Sequence, residues 1–147
     1  MTAPSAPAAS CTWNGCTGKD PQASGCANDA VTSPAHDVTF NDRLGTYRVE
    51  LRYSGSCHAV WVRMTSTSCS APRAYMETGY FPIGDGWVMQ GRYLGHPSYS
   101  GCSSPIVASW TAMSSFSRER IWFGYASYNG TPQHARYIDT GCDDCKG

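Results

Sequence analysis

The residues with the widest chemical reach in this sequence are its eight cysteines: Cys11, Cys16, Cys26, Cys57, Cys69, Cys102, Cys142 and Cys145. Such a set can close disulfides, hold a soft metal ion or exchange thiols. Structural zinc needs four ligands at suitable spacing. The C-x-x-C pair "CDDC" at 142–145 has no matching second pair, and the histidines at 36, 58, 96 and 134 are single and scattered. A thioredoxin-like C-x-x-C opens a helix in a βαβ setting, whereas this one lies two residues from the C-terminus with two aspartates that disfavour a thiolate. An even number of cysteines spread over a small polar chain reads as a disulfide framework, which persists in an oxidising compartment. About 105 full pairings are open, and the spacing chooses none of them. No metal and no cofactor are expected.

Acid–base candidates are sparse. Asp20 lies in "CTGKDPQASGC", where Pro21 fixes its own φ and restricts Asp20, so the segment reads as a stapled turn with Asp20 bonding to nearby backbone amides. "TGKD" does not satisfy the phosphate-loop pattern. Glu50 stands on one strand face with Arg48 and Arg52; the arrangement reads as a solvated face neutralised by ion pairs in preference to an anion-binding patch. His58 completes the weak catalytic set of Asp20, Glu50 and His58. There is no G-x-S-x-G, and no pair of carboxyls suggests a glycosidase cleft. Aromatic residues are more suggestive. Tyr80, Phe81, Tyr93 and Tyr99 fall in or beside turn-rich segments and are candidate anchors for a protein or glycan partner. Trp61, Trp110 and Trp122 fall in apolar strand patterns and read as core.

The elements that must position these groups are strands. "TYRVELRYS" alternates Tyr47, Val49, Leu51 and Tyr53 with Arg48, Glu50 and Arg52, the period of a half-buried strand. "CHAVWVRM" is the next strand. A hairpin centred on Gly55 sets Leu51 opposite Ala59, Val49 opposite Trp61 and His58 opposite Arg52, gathering His58, Arg52 and Glu50 into one polar cluster. "ERIWFGYASYNGTPQHARYIDT" carries Asn129-Gly130, a two-residue hairpin signal that sets Ile121 opposite Ile138, Trp122 opposite Tyr137 and Arg120 opposite Asp139. "GWVMQGRYL" and "SPIVASWTAM" are further strands, and "CANDAVT" has room for one helical turn. The expected architecture is all-β, a small disulfide-braced antiparallel sandwich or partly closed barrel with an irregular lead-in over 11–45.

At 147 residues the chain fits one domain over 11–147, behind a disordered tail at 1–10. Eleven basic and eleven acidic residues cancel, and no block of like charge offers a footprint for nucleic acid. The apolar runs fall far short of the ~20 residues of a membrane span, so a soluble protein is expected. "MTAPSAPAAS" reads as the flexible start of a secreted, extracellular protein whose signal peptide is absent, with Met1 a residue of expression.

The ordered set "C…CTGKDPQASGCANDAVT" followed by "VELRYSGSCHAVWVR" resembles the YjfA-like domain-of-unknown-function family, small extracytoplasmic proteins and domains of actinobacteria and bacilli. The resemblance covers about residues 11–64. It implies export and a compact β-rich domain, with Cys11, Cys16, Cys26 and Cys57 as framework positions and Arg52 and Trp61 on a shared strand pair. It implies no established reaction. The expected function is a secreted, non-catalytic binding or interaction protein, with a component or effector of interbacterial competition as one such role. A small extracellular hydrolase of cell-wall polymers and an inhibitor of a secreted enzyme are the alternatives.

Overall fold

The computed structural model describes residues 8–42, 45–66, 74–80, 88–98, 107–116, 120–125 and 136–139. The strands are β1 (Ala30–Asp42), β2 (Gly45–Ser54), β3 (Ala59–Ser66), β4 (Ala74–Tyr80), β5 (Val88–Leu94), β6 (His96–Ser98), β7 (Val107–Trp110), β8 (Ser114–Ser115), β9 (Arg120–Tyr125) and β10 (Arg136–Asp139). Among the described residues they form two open antiparallel sheets. The first runs β1-β2-β3-β7-β6, with β8 also on β3; the second runs β10-β9-β4-β5. The all-β expectation holds, and the form is a sandwich.

Alternation builds the main core. Tyr47, Val49 and Leu51 of β2 and Val60, Val62 and Met64 of β3 face Ala74, Met76, Ile121 and Phe123 of the second sheet, all of them buried. The opposite face of the first sheet is covered by the lead-in. There Cys16, Cys26, Cys57, Ala59, Trp61 and Met113 make a second, smaller core. The chain is therefore layered as lead-in, first sheet, second sheet.

The lead-in is more regular than its sequence suggests. Two 3-10 turns, Trp13–Cys16 and Cys26–Asp29, precede the 13-residue β1, which replaces the irregular run expected up to residue 45. The turn at Cys26–Asp29 matches the helical turn expected in "CANDAVT". Pro34 hides β1 from a pattern search, since proline demotes a strand; it sits where the β1–β2 register slips between Thr32 and Asp37. β4 was also absent from the expected strands, because Ala74, Tyr75 and Met76 are all buried and no alternation survives.

Both expected hairpin registers need correction. In β2–β3, Ser54 pairs with Ala59, Leu51 with Val62 and Val49 with Met64, around the four-residue turn 55–58. This differs by an odd number from a pairing centred on Gly55, so Trp61 moves to the lead-in face. Arg52 stands opposite Trp61 and not His58, and Glu50 stands opposite Arg63. In β9–β10, Ile138 pairs with Phe123 and Asp139 with Trp122, two residues from the Asn-Gly register, so the parity of the strands is kept. Phe123, buried in the main core and paired on its other side with Met76, faces the same way in either register, so the shift leaves the core face of β9 unchanged. Residues 126–135, including Asn129-Gly130, lie outside the described residues.

Two disulfides are formed, Cys11–Cys16 and Cys26–Cys57. Cys69, Cys102, Cys142 and Cys145 lie outside the described residues. The inner bridge spans 31 positions and the outer one only 5. Chain-entropy arguments therefore assign about 4 kcal/mol to the inner bridge and about 2 kcal/mol to the outer. Denaturant melts of the Cys26→Ala/Cys57→Ala and Cys11→Ala/Cys16→Ala variants should show the first losing more stability than the second.

Candidate functional site

The stretch "GKDP" docks against the chain around β7 and β8. The Gly18 amide donates to the Met113 carbonyl at 2.8 Å, and the Met113 amide returns a bond to the Lys19 carbonyl at 2.9 Å. Asp20 turns its carboxylate to both sides. One oxygen accepts the Ala23 amide at 2.7 Å, and the other accepts the indole N–H of Trp110 at 2.6 Å. The expected bond from Asp20 to a nearby amide is present, and the Trp110 contact adds a purpose. Asp20 holds an indole in place.

That indole is one wall of a groove of 390 Å³. Pro21, Gln22 and Ala27 of the lead-in form one side, Arg52, Trp61 and Arg63 the floor, and Ala108 with Trp110 the far side. The lead-in face of β2 and β3 thus presents two guanidiniums among indole, proline and alanine surfaces. The corrected hairpin register is what brings Arg63 beside Arg52.

Glu50 organises these charges. Its carboxylate is almost completely buried, contrary to the solvated face expected for it. It accepts Thr32 Oγ1 at 2.6 Å, Arg63 Nε at 3.2 Å and Arg63 Nη2 at 3.1 Å, while Arg48 Nη2 stands 3.7 Å away. Burial pushes its pKa up, but the bonds from Thr32 and Arg63 and the charges of Arg63 and Arg48 outweigh burial, leaving it below the ordinary 4.5. Arg48 makes a forked pair with Asp37 at 2.9 and 2.8 Å, and this hydrogen bonding lowers the Asp37 pKa.

Arg52 is bound differently. Its Nη1 donates to Thr32 Oγ1 at 2.7 Å and its Nη2 to the Ala30 carbonyl at 3.2 Å. Among the described residues it makes no ion pair, and its pKa is lowered, first by burial and then by Arg63. Three guanidiniums therefore meet two carboxylates in this network, leaving one positive charge in excess.

The three acid–base candidates are put to separate uses. Asp20 fixes Trp110, and Glu50 is enclosed by its donors. His58 sits in the 55–58 turn at φ 48°, its ring stacked 4.3 Å from that of Trp13. Of the four candidate aromatic anchors, Tyr93 is half-buried against the main core, with its phenol oxygen 2.5 Å from where a side chain on Gly91 would begin. Phe81, Tyr99 and the side chain of Tyr80 lie outside the described residues. The site residues that sequence reasoning missed are Thr32, Arg63 and Trp110. Glu50 stands opposite Arg63 only in the register that pairs Val49 with Met64, and the pairing centred on Gly55 hid that partner.

Fold and groove together define a disulfide-braced β-sandwich that carries a cationic, aromatic-lined cleft. The chain belongs to the family described as protein of unknown function (DUF2690), whose family model matches residues 14–109. That span includes every groove residue named above except Trp110. No curated protein and no solved structure is significantly similar to the chain.

Truncating Glu50 leaves Arg63 and Thr32 without their buried acceptor. Glu50→Ala should cost about 3 kcal/mol, the low end for a broken buried pair because Arg63 is partly exposed. The depressed pKa values of Glu50, Asp37 and Asp29 mean that their stabilising effect is complete above the ordinary carboxyl values and fades as the pH falls through the lower folded ones. Thermal melts from pH 6 down to pH 2 should show a steep acid loss in the native chain and a shallower one in Glu50→Gln.

Proposed function

We propose that this is a secreted, non-catalytic binding protein whose Arg52–Trp61–Arg63–Trp110 groove takes a carboxylate-bearing glycan. The observation that carries the reading is Arg52, a partly buried guanidinium beside two indoles that hydrogen-bonds neutral oxygens and makes no ion pair among the described residues. A guanidinium in that setting favours an incoming anion, and its planar fork matches a carboxylate. Indole, proline and alanine surfaces suit the apolar faces of a sugar ring, and tryptophan is a rigid anchor for such contacts. The separation of Asp20, Glu50 and His58 into structural contacts argues for binding over hydrolysis.

Export is supported by the two disulfides, which suit an oxidising compartment, and by the resemblance to YjfA-like extracytoplasmic proteins. Among the described residues no helix is long and apolar enough to cross a membrane. A role in competition between bacteria is one setting in which a small exported glycan binder would act.

Calorimetric titration with uronic-acid oligosaccharides, neutral oligosaccharides of equal length and acidic peptides tests the reading. The acidic sugars should bind, more weakly as salt rises, and the neutral sugars should not. Arg52→Ala should lose about 2 kcal/mol, roughly thirtyfold in affinity, while still unfolding in one cooperative transition at a modestly lower temperature. Binding of the acidic peptides alone would replace the glycan by a protein partner, and binding of none of the three would sink the proposal.

A further inference from the structure

The second core holds a feature that staples alone do not require. The two disulfides touch: Cys26 Sγ lies 3.7 Å from Cys11 Sγ and 3.9 Å from Cys16 Sγ, and all four sulfurs fall within 4.8 Å of one another. Bonded sulfurs carry no hydrogen, so these are van der Waals contacts between two bridges. Access is graded across the set. Cys11 is partly exposed, while Cys16, Cys26 and Cys57 are fully buried. Hydroxyl donors also attend the inner bridge: Ser24 Oγ lies 3.3 Å from Cys26 Sγ, and Ser56 Oγ lies 3.9 Å from Cys57 Sγ.

We propose that the four sulfurs form a thiol–disulfide exchange centre that carries reduction from the accessible outer bridge to the buried Cys57. A small thiol, as thiolate, attacks Cys11 Sγ. The Cys11–Cys16 bond breaks, a mixed disulfide forms on Cys11, and the electron pair leaves on Cys16. The Cys16 thiolate then attacks Cys26 Sγ. The Cys16–Cys26 bond forms, the Cys26–Cys57 bond breaks, and Cys57 leaves as a thiolate beside the Ser56 hydroxyl, ending as a thiol with one of the two protons that the small thiols give up. A second thiol resolves the mixed disulfide on Cys11. In sum two external thiols become one external disulfide, Cys11 and Cys57 become thiols, and one bridge remains as Cys16–Cys26. Exchange of this kind depends on which sulfur is reachable and on how well the departing thiolate is stabilised. The exposure of Cys11 meets the first condition, and the Ser56 hydroxyl serves the second.

The exchange has a mechanical consequence. Cys26–Cys57 ties the lead-in to the turn between β2 and β3, and Ala27, next to Cys26, lines the groove. Moving the bridge to Cys16 frees that turn from the groove wall. The exchange rests on the sulfur positions and stands independently of any ligand for the groove.

Limited reduction of the native full chain by a monothiol, followed by acid quench, alkylation and peptide mapping, tests it. The expected product carries label on Cys11 and Cys57 and a new Cys16–Cys26 crosslinked peptide. Label confined to Cys11 and Cys16 with Cys26–Cys57 intact, or any pattern lacking the Cys16–Cys26 link, overturns the proposal. As a second measurement, the Cys11→Ser/Cys16→Ser variant should reduce its Cys26–Cys57 bond at least tenfold more slowly than the native chain. An unchanged rate in a variant with native circular dichroism also overturns it.

Discussion

The four-residue turn at 55–58 sets the register of β2 against β3, and with it the side of the sheet on which each site residue stands. Several contacts fix that turn at once. Cys57 is bonded to Cys26, the Asp29 carboxylate accepts Ser54 Oγ at 2.6 Å and the Ser56 amide at 2.8 Å, and the Cys57 amide donates to Ser54 Oγ at 3.2 Å. His58 takes a left-handed φ of 48°, which a non-glycine residue adopts only when its surroundings hold it there. Shortening or lengthening this turn by one residue would exchange the two faces of β3. Trp61 and Arg63 would then point into the main core, and Val60, Val62 and Met64 toward the lead-in.

That constraint divides the labour between the two sides of the first sheet. One side is apolar, aliphatic and aromatic together, packed against the second sheet, and it supplies the area burial that drives folding. The other side is too charged to bury against a second sheet of the same kind. It is covered by the short stapled lead-in, whose sulfur atoms and small side chains fill the space beneath Trp61. A segment with so little apolar surface gains its order from the bridges and from its backbone bonds to Met113.

The charged face is pre-arranged and not merely neutralised. The buried carboxylate of Glu50 draws Arg63 inward, and the Thr32 hydroxyl donates to Glu50 while accepting from Arg52. Arg48 is turned away from the groove by its forked pair with Asp37. Arg52 and Arg63 are left fixed at the groove floor without the freedom a surface arginine usually has, so a ligand that meets them loses little to side-chain ordering. Asp20 does the same for the Trp110 indole from the other side.

The class of the fold, the disulfide framework and the alternation that makes β2 and β3 strands are legible in the residue order, because composition and period-two patterning are local properties. The same order also marked Asp20 as a residue bonded to nearby amides, since Asp-Pro restricts the backbone within a few residues. Long-range packing settles which cysteines pair, encloses Glu50 away from solvent, and brings Arg63 and Trp110 together with Arg52 in one groove. Those outcomes depend on contacts between segments far apart in the chain, as in the Asp20–Trp110 bond across 90 positions. They depend too on a register set by a four-residue turn that distant residues, Cys26 and Asp29, hold in place, and no local pattern carries that information.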